Sequence, residues 1–264
     1  MRKTLFITCC LFLIVIQVSL CLASENNIYI WQRSWRSEIA GSINRIDGLS
    51  DRFMVLAGDL KIENKRVVFS KVSVKWEYLK GKGNVTIDVR MRTNLSQFFK
   101  EDNTSMIAAY LTKSINAVIE EAKQGGVDVT GVEFDYDCPT GKLKDFTRFI
   151  KTVRTYLKGR VFSITALPSW LNSPECLDLI NTVDYYVLQL HSFEIPKNSD
   201  SRQYIFPKDM AFNYLKKAVL IQKPFYISLP TYGYEVVYGK DDEFIGLRAE
   251  SGLQYYGDGI KRKM

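Results

Sequence analysis

Apolar positions along this chain change spacing in a regular way, from every second residue to every third or fourth and back. Alternation marks a strand with two different faces, and a 3.6-residue repeat marks a helix. Strand-like runs occur at Asn27–Trp31, Phe53–Ala57, Val85–Met91, Gly131–Asp137, Val161–Leu167, Asp184–His191 and Phe225–Leu229. The third run places Val85, Ile87, Val89 and Met91 on one face. A helix is predicted behind it from Ile107, Leu111, Ile115, Val118, Ile119 and Ala122. Asn103, Thr104 and Ser105 are its candidate caps, and Gly125-Gly126 stops it. The fourth run leads into a helix with Leu143, Phe146, Phe149, Ile150, Val153 and Leu157 on one stripe. Phe212, Leu215, Val219 and Leu220 suggest another helix between the sixth and seventh runs. The charged stretch Lys61–Val74 reads as a hairpin inserted after the second strand.

Strands alternating with helices build a parallel sheet. Seven such strands suit an α/β fold of the TIM-like (β/α)8 barrel type better than a doubly wound sheet. The eighth strand is the weak point, because Phe244–Leu247 is its only candidate and Gly257–Met264 is short and polar. No glycine-rich phosphate loop follows the first strand, so nucleotide binding is disfavoured and no cofactor is expected.

The N-terminus changes the picture of where this domain works. Arg2 and Lys3 precede an apolar run from Leu5 to Leu22, and small residues follow at Ala23 and Ser24. This is the layout of a secretory signal peptide over residues 1–23, leaving 24–264 as one barrel domain. The expected location is therefore exported, periplasmic or extracellular. Membrane association is expected only if the segment stays uncleaved or Cys21 is acylated. Formal net charge is +7, and loss of Arg2 and Lys3 leaves +5. The basic residues are scattered without an aromatic-interleaved stripe, so no nucleic-acid partner is expected. Only Cys138 and Cys176 lie beyond the leader, and spacing leaves a disulfide and two buried thiols equally open. One histidine in the chain excludes a histidine-rich zinc site.

Candidate chemistry gathers at the end of the fourth strand, Gly131-Val132-Glu133-Phe134-Asp135-Tyr136-Asp137. Alternation turns Val132, Phe134 and Tyr136 to the helices, and Glu133, Asp135 and Asp137 into the barrel. Barrel active sites sit at this end of the strands. Carboxylates crowded on one inward face oppose each other's ionisation, which raises a pKa as a general acid requires. Two other readings stand beside this one: a salt-bridge network with Arg90 on the third strand, and a carboxylate metal site. Trp31, Trp35, Trp170 and Tyr232 lie at or beyond strand ends, where aromatic rings can stack on sugars or pack in the core.

Thr130 to Asp137 resembles the strand-four signature of glycoside hydrolase family 18, Asp-Gly-x-Asp-x-Asp-x-Glu. Thr130 stands for its first Asp, Glu133 for its second and Asp137 for its final Glu, while Gly131 and Asp135 match. Leu229-Pro230-Thr231-Tyr232-Gly233 is similar to that family's strand-seven Pro-x-Tyr-Gly element. Trp31-Gln32-Arg33-Ser34-Trp35 and the Asp135-to-Pro139 run resemble an uncharacterised bacterial group of glycosidase-like barrels. The family 18 resemblance implies retaining hydrolysis of a carbohydrate substrate, assisted by the substrate's own N-acetyl group. It casts Asp137 as the acid, Asp135 as the orienting residue and Glu133 as its support; Trp31, Arg33, Gln189, His191 and Tyr232, at or near strand ends, are the candidate substrate contacts. The family's strand-six tyrosine is absent, and alternation presents Gln189 and His191 in its place. A glycan without an N-acetyl group, or a different acid–base pairing, therefore fits better than chitin hydrolysis. Catalytic hydrolase, inactive glycan-binding barrel and metal-dependent enzyme remain the three function classes.

Overall fold

A computed structural model describes residues 25–99, 101–191, 199–200, 205–233, 235–248 and 260–263. The leader expected at residues 1–23 lies outside them. Among the described residues no helix is long and apolar enough to cross a membrane.

The main sheet holds seven parallel strands: β1 (Asn27–Ile30), β2 (Arg52–Glu63), β4 (Asn84–Met91), β5 (Val129–Tyr136), β6 (Val161–Ala166), β7 (Tyr185–Gln189) and β8 (Phe225–Ser228), in that spatial order. Antiparallel β3 (Arg66–Lys71) is the expected hairpin on β2, turned at Asn64 and Lys65, both with positive φ. The helices are α1 (Ser37–Ile46), α2 (Glu101–Gln124), α3 (Leu143–Tyr156), α4 (Glu175–Ile180) and α5 (Lys208–Leu220). Asn103, Thr104 and Ser105 fall inside the first turn of α2 rather than capping it, because the helix begins at Glu101. Gly126, at φ 79°, ends the α2 connection as expected.

The outward faces of the strands and the inner stripes of the helices form the core. Val132, Phe134 and Tyr136 are sealed against α3, and Phe99 stacks on Phe149 at 4.4 Å between ring centres. Phe134 meets Phe162 edge-on at 5.2 Å. Full burial of such a ring stabilises by about 1.5–3 kcal/mol, so this aromatic layer anchors the strand that carries the acids.

The sheet curls into a barrel, because side chains on distant strands meet across its interior. Tyr29 on β1 donates its hydroxyl proton to Glu133 on β5 at 2.5 Å. Arg52 on β2 donates to the Tyr185 hydroxyl on β7 at 2.7 Å. Tyr226 on β8 donates to Glu25, just before β1. Among the described residues β8 and β1 are not paired, so this side-chain bond spans an open seam.

The eighth-strand expectation is corrected here. Phe244–Arg248 is β10, which pairs antiparallel with β9 (Glu235–Tyr238) in a separate sheet ordered β10-β9-β11, with β11 at Ile260–Lys263. A parallel barrel strand needs a crossover of about a dozen residues or more. Only residues 239–243 separate β9 from β10, so the chain turns back as a hairpin.

Candidate functional site

Strand β5 reaches the site through a close approach to its neighbours at Gly131. A Cβ there would lie 2.8 Å from the Thr86 hydroxyl and 3.2 Å from the Val161 carbonyl, so glycine is required. Thr130, in place of the family's first acid, donates to the Val85 carbonyl at 3.2 Å and helps hold β5 on β4. The strand then presents Glu133 and Asp135 inward.

Glu133 is fully buried, and its two oxygens accept from Tyr29 at 2.5 Å and Ser163 at 2.8 Å. Burial pushes its pKa up to about 7, against the pull of those two hydroxyls. Asp135, 7% exposed, sits one step nearer the barrel mouth. Its Oδ1 accepts from Thr165 at 2.8 Å and from the Gln189 amide at 2.9 Å. Burial raises its pKa, and the charge of Asp137 adds to the rise, while Thr165, Arg90 and Gln189 oppose it. Asp137 lies one residue past the end of β5 and is exposed to solvent.

Gln189, His191 and Tyr232 come to the same mouth. The Tyr232 hydroxyl lies 3.3 Å from His191 Nδ1. Burial lowers the His191 pKa, partly offset by the negative charge of Asp137. The ring is therefore neutral at neutral pH and able to exchange a hydrogen bond with a ligand hydroxyl. On the opposite side Trp31 is 36% exposed and lies over the Arg90 guanidinium, 5.1 Å from its ring centre. Arg33 forms a two-pronged ion pair with buried Asp59, which Arg92 also approaches at 3.3 Å.

The tryptophans, Arg90 and the two cysteines each had more than one reading from sequence, and the structure decides between them. Trp35 and Trp170 are core residues, donating to the Gln32 and Cys138 carbonyls at 3.1 and 2.9 Å. An indole finds a backbone acceptor and apolar walls there, and presents no face to a sugar. Arg90 makes no ion pair with the β5 acids, which are satisfied instead by neutral hydroxyls and an amide. Cys138 and Cys176 are buried free thiols, not a disulfide. Among the described residues no three His, Cys, Asp or Glu side chains converge as metal ligands.

The sequence reading passed over Asp88. It stands beside Glu133 in the β4–β5 register, is fully buried, and neither carboxylate oxygen has a hydrogen-bond partner. Burial, then the charges of Asp135 and Glu133, lift its pKa well above the usual value. It was visible in the alternation Thr86, Asp88, Arg90 on the face opposite Val85, Ile87 and Val89. Thr165 and Ser163 were visible in the same way, as the polar positions of Val161–Ala166. A cavity of about 340 Å³, lined by Glu25, Asp184 and Tyr226 among others, opens at the opposite end, where the strands begin. It contains none of the β5 acids.

Residues 85–262 match the family model described as a domain of unknown function, DUF3142. The chain belongs to this family. Among curated proteins no match is found for it. In fold it is similar to the spore cortex-lytic enzyme SleL of Bacillus cereus, with a TM-score of 0.61 and 15% identity over 86% of this chain and 55% of SleL. The chain thus spans about half the length of that enzyme. A class V chitinase from Pseudomonas fluorescens Pf-5 gives a TM-score of 0.62 and 15% identity, over 80% of this chain and 69% of the chitinase. A GH18 chitinase from Pseudoalteromonas aurantia gives 0.54 and 14%, over 83% of each chain. At these identities the likeness is one of fold: this DUF3142 member is an incomplete barrel of the family 18 type.

Proposed function

We propose that this chain is an exported glycoside-hydrolase-like barrel that binds a glycan at the mouth formed by β1, β4, β5 and β7. In this reading it cleaves the glycan by carboxylate general acid catalysis. Asp137 donates the proton to the glycosidic oxygen. Asp135 orients the reacting sugar, and Glu133 supports it from below. The observation that carries the reading is the tethering of Asp135. Two neutral donors on two neighbouring strands hold one oxygen, Oδ1, and among the described residues no side chain donates to Oδ2. A carboxylate held by one edge is pre-organised to act with the other.

Asp137 is open to water before a ligand binds. A bound glycan displaces that water and brings the glycosidic oxygen within reach of the carboxyl. The shorter reach of aspartate favours a second reading, a glycan-binding barrel without turnover. The metal-dependent alternative gains no support, because among the described residues no ligand set converges. The absence of the strand-six tyrosine favours a sugar lacking an N-acetyl group.

A glycan-array screen paired with a hydrolysis assay on every hit tests this. Binding with turnover supports the hydrolase, binding without turnover transfers the proposal to the binding module, and neither removes both. Export rests on Arg2, Lys3, the Leu5–Leu22 run and Ala23. N-terminal sequencing of the exported protein should give a start near Ser24.

A further inference from the structure

The two sides of the mouth carry opposite charge. Asp135 and Asp137 stand on the β5 side. On the other side, at the C-terminal ends of β1, β2 and β4, lie Arg33, Arg90 and Arg92. Only one of their neighbours is a committed counter-ion: Asp59, 3% exposed, which takes Arg33 on both oxygens and Arg92 on one. Of the three guanidinium groups, Arg33 and Arg92 are committed to Asp59, while Arg90 is bonded to no carboxylate among the described residues although Asp135 and Asp88 stand beside it.

Arg90 is the decisive member. It projects inward beside Asp135 in the β4–β5 register and beside Asp59 in the β2–β4 register. Among the described residues its guanidinium makes no hydrogen bond or ion pair; it lies over the face of Trp31, and its charge reaches Asp59, Asp88 and Asp135. A guanidinium presents five donors in a planar fork that matches a carboxylate or sulfate. Stacking on an aromatic face holds that plane in place and leaves the fork edge free. Arg33 and Arg92, both about half exposed, flank it.

We infer that the Arg90 fork, backed by Trp31 and flanked by Arg33 and Arg92, is a subsite for an anionic group on the glycan. This rests on the glycan-cleft reading and names its substrate class: an acidic polysaccharide, bearing carboxylates or sulfates. The negative group lies on the arginine side, and the bond to be broken lies toward Asp137. The ion pairs of Arg33 with Asp59 pre-order the rim, so little side-chain entropy is lost on binding.

Binding is measured by calorimetry on three matched pairs that differ only in charge: oligogalacturonates and their methyl esters, a sulfated glycosaminoglycan fragment and its desulfated form, and a muramic-acid oligosaccharide and its carboxamide. One anionic member should bind, its neutral partner should bind about 10- to 100-fold more weakly, and the affinity should fall as salt rises. The pair that responds distinguishes carboxylate from sulfate as the source. Arg90→Gln should remove most of that preference with the melting temperature little changed. Should Arg90→Gln fail to fold, Arg92→Gln and the salt dependence of the wild type carry the test. Equal binding of charged and neutral partners overturns the anionic subsite and leaves the glycan cleft standing. Failure of every glycan, including the neutral arms, removes the cleft as well.

Discussion

Replacing Asp88 by Asn should make the protein less sensitive to alkaline pH, and the structure sets the size of the effect. Asp88 is packed among Glu133 and Asp135 on β5, Arg90 on its own strand and Asp59 on β2, and it has no hydrogen-bond partner. An ionised carboxylate so placed would be far too costly, so the folded state keeps the proton. The unfolded chain releases it near pH 4. The folded pKa is thus raised, and this group's stabilising contribution is complete below the unfolded pKa. It is lost as pH climbs toward the folded value, at about 1.4 kcal/mol per pH unit. Glu133, lifted from 4.5 to about 7, adds a loss on the order of 3 kcal/mol by pH 8 by the same rule. Asn has the shape of the protonated acid and does not titrate. Urea unfolding at pH 5, 6, 7 and 8 should therefore show wild-type stability falling steeply. Asp88→Asn should fall less, by about 1.4 kcal/mol for each pH unit over which Asp88 keeps its proton in the fold. The difference between the two proteins should therefore move in the variant's favour as pH rises. Parallel curves, with the variant lower throughout, would show that Asp88 is ionised in the fold and refute the argument.

Thr165→Val removes one of the two donors on Asp135 Oδ1. A hydrogen bond to a charged acceptor is worth about 1.5–3 kcal/mol, and Thr165 favours the ionised form of Asp135, so the loss in urea melts should be larger at high pH than at pH 4. Equal losses at both pH values would contradict a role in holding the carboxylate charge. Cys138 and Cys176, buried and with thiol pKa values pushed up to about 12 and about 11 by burial, should resist a thiol reagent in the native state and react once the chain is unfolded in denaturant. A mass gain on reduction, from two added hydrogens, would show a disulfide instead.

The barrel was legible because its strands carry a two-residue rhythm that only a buried sheet explains. Val85, Ile87, Val89 and Met91 face the helices as alternation requires, and the hairpin at Lys61–Val74 followed from its charge pattern. Helix α1 and the short α4 escaped because Ser37–Ile46 and Glu175–Ile180 carry few apolar residues or few turns. Phe244–Arg248 was misplaced because a strand's composition does not say which sheet it joins; the short turn before it decided. At the site, alternation located Glu133 and Asp135, and barrel order brought Gln189, His191 and Tyr232 to the same mouth. Asp88 was missed because attention to the apolar face of β4 hid the polar one. Trp35 and Trp170 misled because a tryptophan near a strand end has the same sequence signature whether it faces a cleft or the core.

The central claim is that Asp137 is the proton donor of a glycan-cleaving site, and one paired measurement addresses it. On whichever glycan the wild type hydrolyses, turnover and affinity are compared with those of Asp137→Asn, which keeps the shape and removes the proton. General acid catalysis contributes about 100- to 10,000-fold, so turnover should fall by that order while affinity changes little. Asp137→Glu, which restores the family's longer side chain, should retain or raise activity. Unchanged turnover in Asp137→Asn would take Asp137 out of the mechanism and the claim with it.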